Sequence, residues 1–323
     1  MSLDAHVVVR ERGVDVALTV PQGETLALLG PNGSGKSTVL AALAGLLPGS
    51  SLSGQPAHRP RMALVTQGED LFPAMSVLDN VAFASRAGGA SRADARVQAA
   101  DWLARVGLED MARRRPTHLS AGQARRVAIA RALASRPAVL LLDEPLAGID
   151  VEAAQQVRDL LASVASDVTT VISTHDALDA RLLAQHVMVL DAGTVAEHGA
   201  TDEVLARPRT PFAARVAGRL LLQGRAEPGA MVIASGARVS ADTSGIADGT
   251  LALIAISPLS VRLVASGTPG ALDDEVVSLE PRGDAVRVRG RHLAADIDVA
   301  ELAVSPGQAV AFALPPGLAA YEA

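Results

Sequence analysis

The stretch GPNGSGKST meets the spacing G-x-x-x-x-G-K-[ST] through Gly30, Gly35, Lys36 and Ser37. Residues of these types at this spacing can cradle phosphate. Glycines let backbone N–H groups turn inward around phosphate oxygens, and a helix start behind the loop adds unpaired donors and partial positive charge. Gly30, Pro31, Asn32, Gly33, Ser34, Gly35, Lys36, Ser37 and Thr38 are therefore the candidate phosphate-binding residues. Lys36 is the only lysine in a chain with 29 Lys plus Arg. A compact ammonium fits between β- and γ-phosphates, where the wider planar guanidinium does not. Ser37 offers a hydroxyl to Mg²⁺.

A second group is acidic. VLLLDEP ends a very apolar run with Asp143 and Glu144. Two acids at the end of a buried strand are costly unless they bind something. Asp143 is placed to hold Mg²⁺, directly or through water. Glu144, where the strand is ending, suits polarising an attacking water as a general base. A third group is THLSAGQARR, in which Ser120 can cap a helix, with Gly122 and Gln123 behind it. It reads as a second anion-facing helix start or as an ordinary capped helix.

These groups need elements to position them. TLALLG, RMALVTQ, AVLLLDEP, VTTVIST and HVMVLDAG read as buried strands. Helical patterns lie between them, from Lys36 to about Leu47 and around 92–106, 121–135, 151–165 and 176–185. Strands alternating with helices imply a mostly parallel sheet covered by helices. VLDAGTVAEHG reads as a hairpin turning at Ala192-Gly193. The last hundred or so residues carry short β-like runs (MVIAS, TLALIAI, SVRLVA, EVVSLE, AVRVRG, LAADIDV, AVAFAL) separated by Gly, Pro and Asp. That is the pattern of a small all-β barrel or sandwich.

Composition narrows the function. The chain has 323 residues, enough for about two domains. It contains no cysteine, which excludes disulfides and thiolate metal sites. The net charge of −6 does not suit a general nucleic-acid binder. From Ala226 onward 6 Arg face 12 Asp plus Glu, so the first part is near neutral. That asymmetry marks a boundary near 220–226. No basic-then-apolar leader opens the sequence, and the long uncharged run from Leu302 to Tyr321 is broken by SPG and PPG. The expectation is a soluble, cytoplasmic protein.

Taken together, these motifs resemble the nucleotide-binding subunit of an ABC transporter over roughly residues 3–220. GPNGSGKST resembles its phosphate loop and LLLDEP its Mg²⁺/base strand. Gln67 in VTQGEDLFPAMSVLDNVAF resembles the glutamine loop and the segment that meets the permease. LSAGQ resembles the signature LSGGQ, LAGID the loop ending in Asp150, and His175 in STHD the switch histidine. The resemblance implies an α/β P-loop ATPase with a parallel-sheet core and a helical subdomain, using ATP and Mg²⁺. It implies two ATP-binding subunits, a homodimer of this chain, closing head to tail at the cytoplasmic face of the membrane. Ser120, Gly122 and Gln123 would then serve the partner's γ-phosphate. Gln67 would reach Mg²⁺ and the water, and His175 would hold the γ-phosphate and position Glu144.

The sequence departs from the family at three places. Ala121 stands where the signature has glycine. Ala-Gly-Ile precedes Asp150. Residues 1–24 hold no Phe, Tyr or Trp to stack on adenine, so a residue between Val8 and Gly13 must pack on the base. The short segment between Lys36 and Gln67 implies a trimmed β-subdomain.

Residues 221–323 resemble the small OB-like TOBE/Mop domains of importer ATPases, through ALIAISPLSVRL and the ending VRVRGRHLAADIDVAELAVSPGQAVAFALPPGLAAY. That ending is similar to molybdate-type importers. The resemblance implies an ATPase subunit of an importer for molybdate or a related oxyanion, with membrane permease subunits and, indirectly, an extracytoplasmic solute-binding protein. Sulfate, iron, polyamine or sugar are the alternative cargoes. A soluble ABC ATPase acting on DNA or ribosomes is the remote one. The C-terminal domain reads equally as an oxyanion-regulated module or a plain dimerisation or stability module.

Overall fold

The structure, a computed structural model, describes residues 2–54, 60–68 and 71–323. β1 (Leu3–Val9) and β2 (Val14–Val20) alternate buried and exposed residues, the period of strands with one face on a core. They pair antiparallel from Leu3↔Val20 to Val9↔Val14. β3 (Thr25–Leu29) is buried along its whole length and leads to α1 (Lys36–Ala44). β4 (Ser51–Ser53) joins the other edge of β1, and β5 (Met62–Val65) follows. Residues 55–59 of the expected trimmed subdomain, and Glu69 and Asp70 of the permease-facing segment, lie outside the described residues.

Three helices come next: α2 (Val77–Ala87), α3 (Arg92–Arg105) and α4 (Ala121–Ala134). Each is capped by a serine (Ser76, Ser91, Ser120) that accepts the backbone N–H three residues on, satisfying a donor the helix cannot. They pack on one another as a helical group. β6 (Val139–Asp143), α5 (Val151–Val164), β7 (Thr169–Ser173) and α6 (Ala177–Leu183) then alternate. β8 (His186–Asp191) and β9 (Thr194–Ala200) form the expected hairpin. Its turn residues Ala192 and Gly193 both have positive φ, 45° and 85°, as a two-residue hairpin turn of this hand requires.

The central sheet has the order β5-β6-β7-β3-β8-β9, parallel except at the final hairpin. Helices cover a parallel sheet on both faces, which is why β3, β6 and β7 are almost wholly buried. α1 is wedged between this sheet and the antiparallel sheet β2-β1-β4. Its Val39, Leu40 and Leu43 share one core with Leu28 and Leu141 and with Val7, Val16 and Leu18.

α7 (Thr201–Ala206) spans the division between two compact units, Met1–Asp202 and Glu203–Ala323. The second unit opens with α8 (Pro211–Val216) and is otherwise strands: β10 (Leu220–Glu227), β11 (Ala230–Ile233), β12 (Arg238–Ser240), β13 (Leu251–Ile256), β14 (Arg262–Val264), β15 (Leu272–Glu275), β16 (Ser278–Arg282), β17 (Ala285–Arg289), β18 (Ala294–Asp298), β19 (Ala309–Ala313) and β20 (Tyr321–Glu322). They form the sheets β12-β11-β10-β13-β20, β14-β19-β15 and β16-β17-β18 around one core containing Met231, Ile254, Val288, Leu293 and Phe312. Tyr321 Oη donates to Pro208 O at 2.7 Å, tying the last strand to the segment before α8.

An α/β parallel-sheet unit followed by an all-β unit is the fold class the motifs imply. One run reads differently in three dimensions. EVVSLE is two strands, because Val276 N bonds Gln308 O while Val277 N bonds Arg289 O. The chain changes sheets between those two residues.

Candidate functional site

The phosphate loop hangs between β3 and α1. Gly30, Gly33 and Gly35 take φ of 153°, 81° and 102°. Gly35 and Gly33 thus lie well inside the left-handed region that glycine alone enters without strain. Gly35 is the N-cap of α1, and no side chain caps that helix. Its first N–H groups therefore point into the loop without an intrahelical partner. Lys36 is buried, and its Nζ donates to Gly30 O at 2.7 Å and Pro31 O at 3.0 Å. The ammonium is thus folded back over the loop it would serve. Burial pushes its pKa below the ordinary lysine value, while the carboxylates of Glu144 and Asp143 oppose that shift. Ser34 is 2 % exposed and its Oγ has no partner among the described residues.

The β8–β9 turn braces this loop, which the sequence reading did not anticipate. Gly193 N donates to Ser34 O at 3.2 Å, and Gly193 O accepts Asp15 N at 2.8 Å. A Cβ at Gly193 would overlap the Gly13 carbonyl, so a glycine is needed for the approach. The hairpin visible in the sequence is thus part of the loop's support.

Asp143 ends β6 and Glu144 follows with φ of 46°. A non-glycine residue in the left-handed region carries strain of about 1 kcal/mol or more. The kink swings Glu144 away from the strand direction. Both acids are held by Ser173 at the end of β7. Its Oγ donates to Asp143 Oδ1 at 2.6 Å and accepts Glu144 N at 2.9 Å. Ser173 is fully buried. A hydroxyl at the end of the wholly buried stretch VIST was the signal for it.

Gln67 and His175 converge on the same acid. Gln67 Nε2 donates to Glu144 Oε2 at 3.3 Å, and His175 Nδ1 lies 3.8 Å from that oxygen. The Glu144 side chain is 17 % exposed and that of His175 65 %, so the acid is sheltered and the histidine sits at the rim. A cleft of about 500 Å³ is walled by Arg12, Asn32, Lys36, Thr38, Gln67 and Glu144, among others. Its size and polar walls suit a nucleotide triphosphate. Within residues 8–13, Arg12 reaches this wall, and its Nη1 donates to Thr38 Oγ1 at 3.3 Å.

Ser120, Gly122 and Gln123 do not line that cleft. Ser120 Oγ accepts Gln123 N at 3.2 Å, and Gln123 Oε1 accepts Ser120 N at 3.0 Å, a reciprocal cap at the start of α4. Ala121 is exposed, so its methyl meets no obstacle. Gly122 is buried, and a Cβ there would overlap the Ala153 methyl of α5. Asp150 caps α5 by accepting Ala153 N at 2.8 Å. No helix among the described residues is long and apolar enough to cross a membrane.

Residues 14–147 match the family model described as ABC transporter. The chain is 41 % identical to the molybdenum import ATP-binding protein ModC of Mycobacterium tuberculosis, over 97 % of this chain and 95 % of that protein. It is 42 % identical to the Fe(3+) ions import ATP-binding protein FbpC of Streptomyces coelicolor, over 63 % of this chain and 62 % of the relative. Among solved structures, the dimeric post-hydrolysis state of the ATP-binding cassette MJ0796 bound to ADP and Pi matches 62 % of this chain and 99 % of that one. The TM-score is 0.54 and the identity 27 %. With the phosphate loop, Gln67 and Glu144 walling one cleft and His175 standing 3.8 Å from the Glu144 carboxylate, the chain belongs to the ABC transporter family, as one of its ATPases.

Proposed function

We propose that this chain is the ATP-hydrolysing subunit of an importer for molybdate or a related oxyanion. One observation carries the cargo. The likeness to the molybdenum import protein extends over 97 % of the chain, into the all-β unit, whereas the likeness to the iron import protein covers only 63 %. On this reading the ATPase part is common to both, and the C-terminal β unit is what separates the cargoes. On this reading residues 1–220 are the ATP-binding domain and 221–323 a TOBE/Mop-like domain. Purified with its permease in vesicles, the chain should hydrolyse ATP faster when molybdate and its binding protein are supplied. Stimulation by a sugar or iron system instead would overturn the assignment.

The residues then take these parts. Loop amides from Gly30 to Thr38 and the Lys36 ammonium bind the phosphates, Lys36 exchanging its two carbonyl partners for phosphate oxygens. Arg12 lays its planar guanidinium on the base in place of an aromatic ring. Ser37, Asp143 and Gln67 supply hard oxygen donors that suit Mg²⁺. That ion neutralises charge on the β- and γ-phosphates when bound. Glu144 takes the proton of the attacking water, Gln67 orients that water, and His175 holds the γ-phosphate and keeps Glu144 in place.

Ser120, Gly122 and Gln123 lie off the cleft, as expected if they complete the site of a second copy. The dimeric neighbour supports two copies as the working form. The permease would dock on the groove of about 460 Å³ beside α2 and α4. There Phe72 and Phe83, 37 % and 45 % exposed, stack edge to face. The subunit would sit peripherally on the cytoplasmic face of the membrane, linked to a solute-binding protein only through the permease, and with no nucleic acid partner.

A further inference from the structure

We propose that Arg125 is a positioning residue for hydrolysis, acting by clamping the main chain of Gln67. The inference rests on the roles proposed above for Gln67 and Glu144. Arg125 lies in the second turn of α4. Its Nη1 donates to Thr66 O at 2.6 Å and its Nη2 to Gln67 O at 2.8 Å.

Those two carbonyls lie just past the end of β5, whose last ladder pair is Val65↔Leu142. Beyond Val65 the sheet no longer fixes the backbone. Gln67 is nevertheless the residue whose side chain must meet Glu144, at 3.3 Å. The Arg125 fork adds two main-chain hydrogen bonds where the β5–β6 ladder has ended. The planar guanidinium presents two parallel donors, which match two successive carbonyls. A lysine at 125 would have to reach both from a single nitrogen, as Lys36 does at Gly30 O and Pro31 O, without the fixed spacing of the fork.

The clamp also joins two parts of the molecule. α4 begins with the Ser120–Gln123 cap, and Arg125 stands two residues past Gln123. The helix whose start would face a second copy's nucleotide thus holds this copy's Gln67 through one side chain. Arg126, its neighbour, faces elsewhere and donates to Val106 O at 2.7 Å. Position 125 is therefore singled out within the basic pair.

The test uses the full-length chain. Arg125→Met keeps the stem and removes the fork. Displacement of a catalytic group by about 1 Å can cost on the order of 100-fold, so kcat for ATP should fall about 10- to 100-fold. The Kd for a fluorescent ATP analogue should hold within about twofold, because the clamp does not touch the phosphate loop. Hydrogen exchange of the Gln67 and Gly68 amides should rise, and Arg125→Lys should fall between the two. In a Gln67→Ala background Arg125→Met should cost less than about a further twofold, because the side chain through which the clamp would act is gone. Normal turnover in Arg125→Met, or an equal loss in both backgrounds, would overturn the proposal. If Gln67→Ala alone turns over normally, the role of Gln67 fails, and this inference with it. If Gln67→Ala is slow while Arg125→Met is normal, only the clamp fails.

Discussion

Replacing Glu144 with glutamine removes one negative charge and leaves the side chain's shape. The backbone should hold its position, since Glu144 N is fixed by Ser173 Oγ at 2.9 Å whatever the side chain carries. The carboxylate oxygen that accepts from Gln67 at 3.3 Å and lies 3.8 Å from His175 becomes part of a neutral amide. It can no longer take a proton from water. A positioned general base contributes about 10²- to 10⁴-fold, or about 2.7–5.5 kcal/mol of barrier at 1.36 kcal/mol per decade. ATP affinity should not fall. The lost charge is one of two that favour the Lys36 ammonium, and its removal also lifts repulsion from an anionic phosphate. The expected variant binds ATP, turns it over at least about 100-fold more slowly, and accumulates as an ATP-dependent dimer. Phosphate release and size-exclusion chromatography with and without ATP read both effects. Phosphate release close to the parent rate would refute the reasoning, whatever the state of association.

Lys36→Arg keeps the charge but puts a wider head at a position only 6 % exposed. An overpacking cost of about 1–3 kcal/mol should weaken binding of a fluorescent nucleotide about 5- to 150-fold, and unchanged affinity would show that the loop accepts either cation. Arg12→Ala should raise the KM for ATP about 2- to 30-fold, the worth of a cation–π contact of about 0.5–2 kcal/mol, and Arg12→Tyr should restore it; an unaltered KM in the alanine variant would remove Arg12 from the base site. In the β unit, Arg289 holds the Glu280 carboxyl below its ordinary value. A depressed acid stabilises above its unfolded pKa and loses that contribution as pH falls through the folded one. Glu280→Gln should therefore lower the unfolding free energy at neutral pH, by less than about 1 kcal/mol because the two side chains are 36 % and 43 % exposed, and the gap should close in acid; a gap independent of pH would exclude this pair as its source.

What was legible in the sequence follows the physics of each element. TLALL and VLLLD are buried on both faces in a parallel sheet, and continuous apolar runs stand out. LDAHVVV and VDVALTV, by contrast, bury alternate residues. Three positions of seven in each are not buried, so neither is a continuous apolar run. α2 went unread although Ser76 and Asp79 mark its start, Ser76 accepting Asp79 N at 3.1 Å.

The site divides in the same way. Residues proposed to meet phosphate or water announce themselves by type and local spacing. Residues that hold them in place do not. Ser173 meets Asp143 across neighbouring strands, 30 positions away in sequence. Arg125 reaches Gln67 from a helix 58 positions on. Gly193 braces the loop from a hairpin on the far side of β3. A buried hydroxyl flags Ser173, but single-sequence spacing does not show which residue any of the three meets. Arg12 is intermediate: the lack of an aromatic points to its stretch, and within residues 8–13 Arg12 lines the cleft.

The most direct test of the central claim is cargo uptake. Vesicles carrying the permease, the solute-binding protein and this chain should accumulate labelled molybdate only when ATP is present on the side of the ATPase. Glu144→Gln should abolish that uptake while leaving nucleotide bound. ATP-driven uptake of a sugar, a polyamine or ferric ion without movement of any oxyanion would contradict the account.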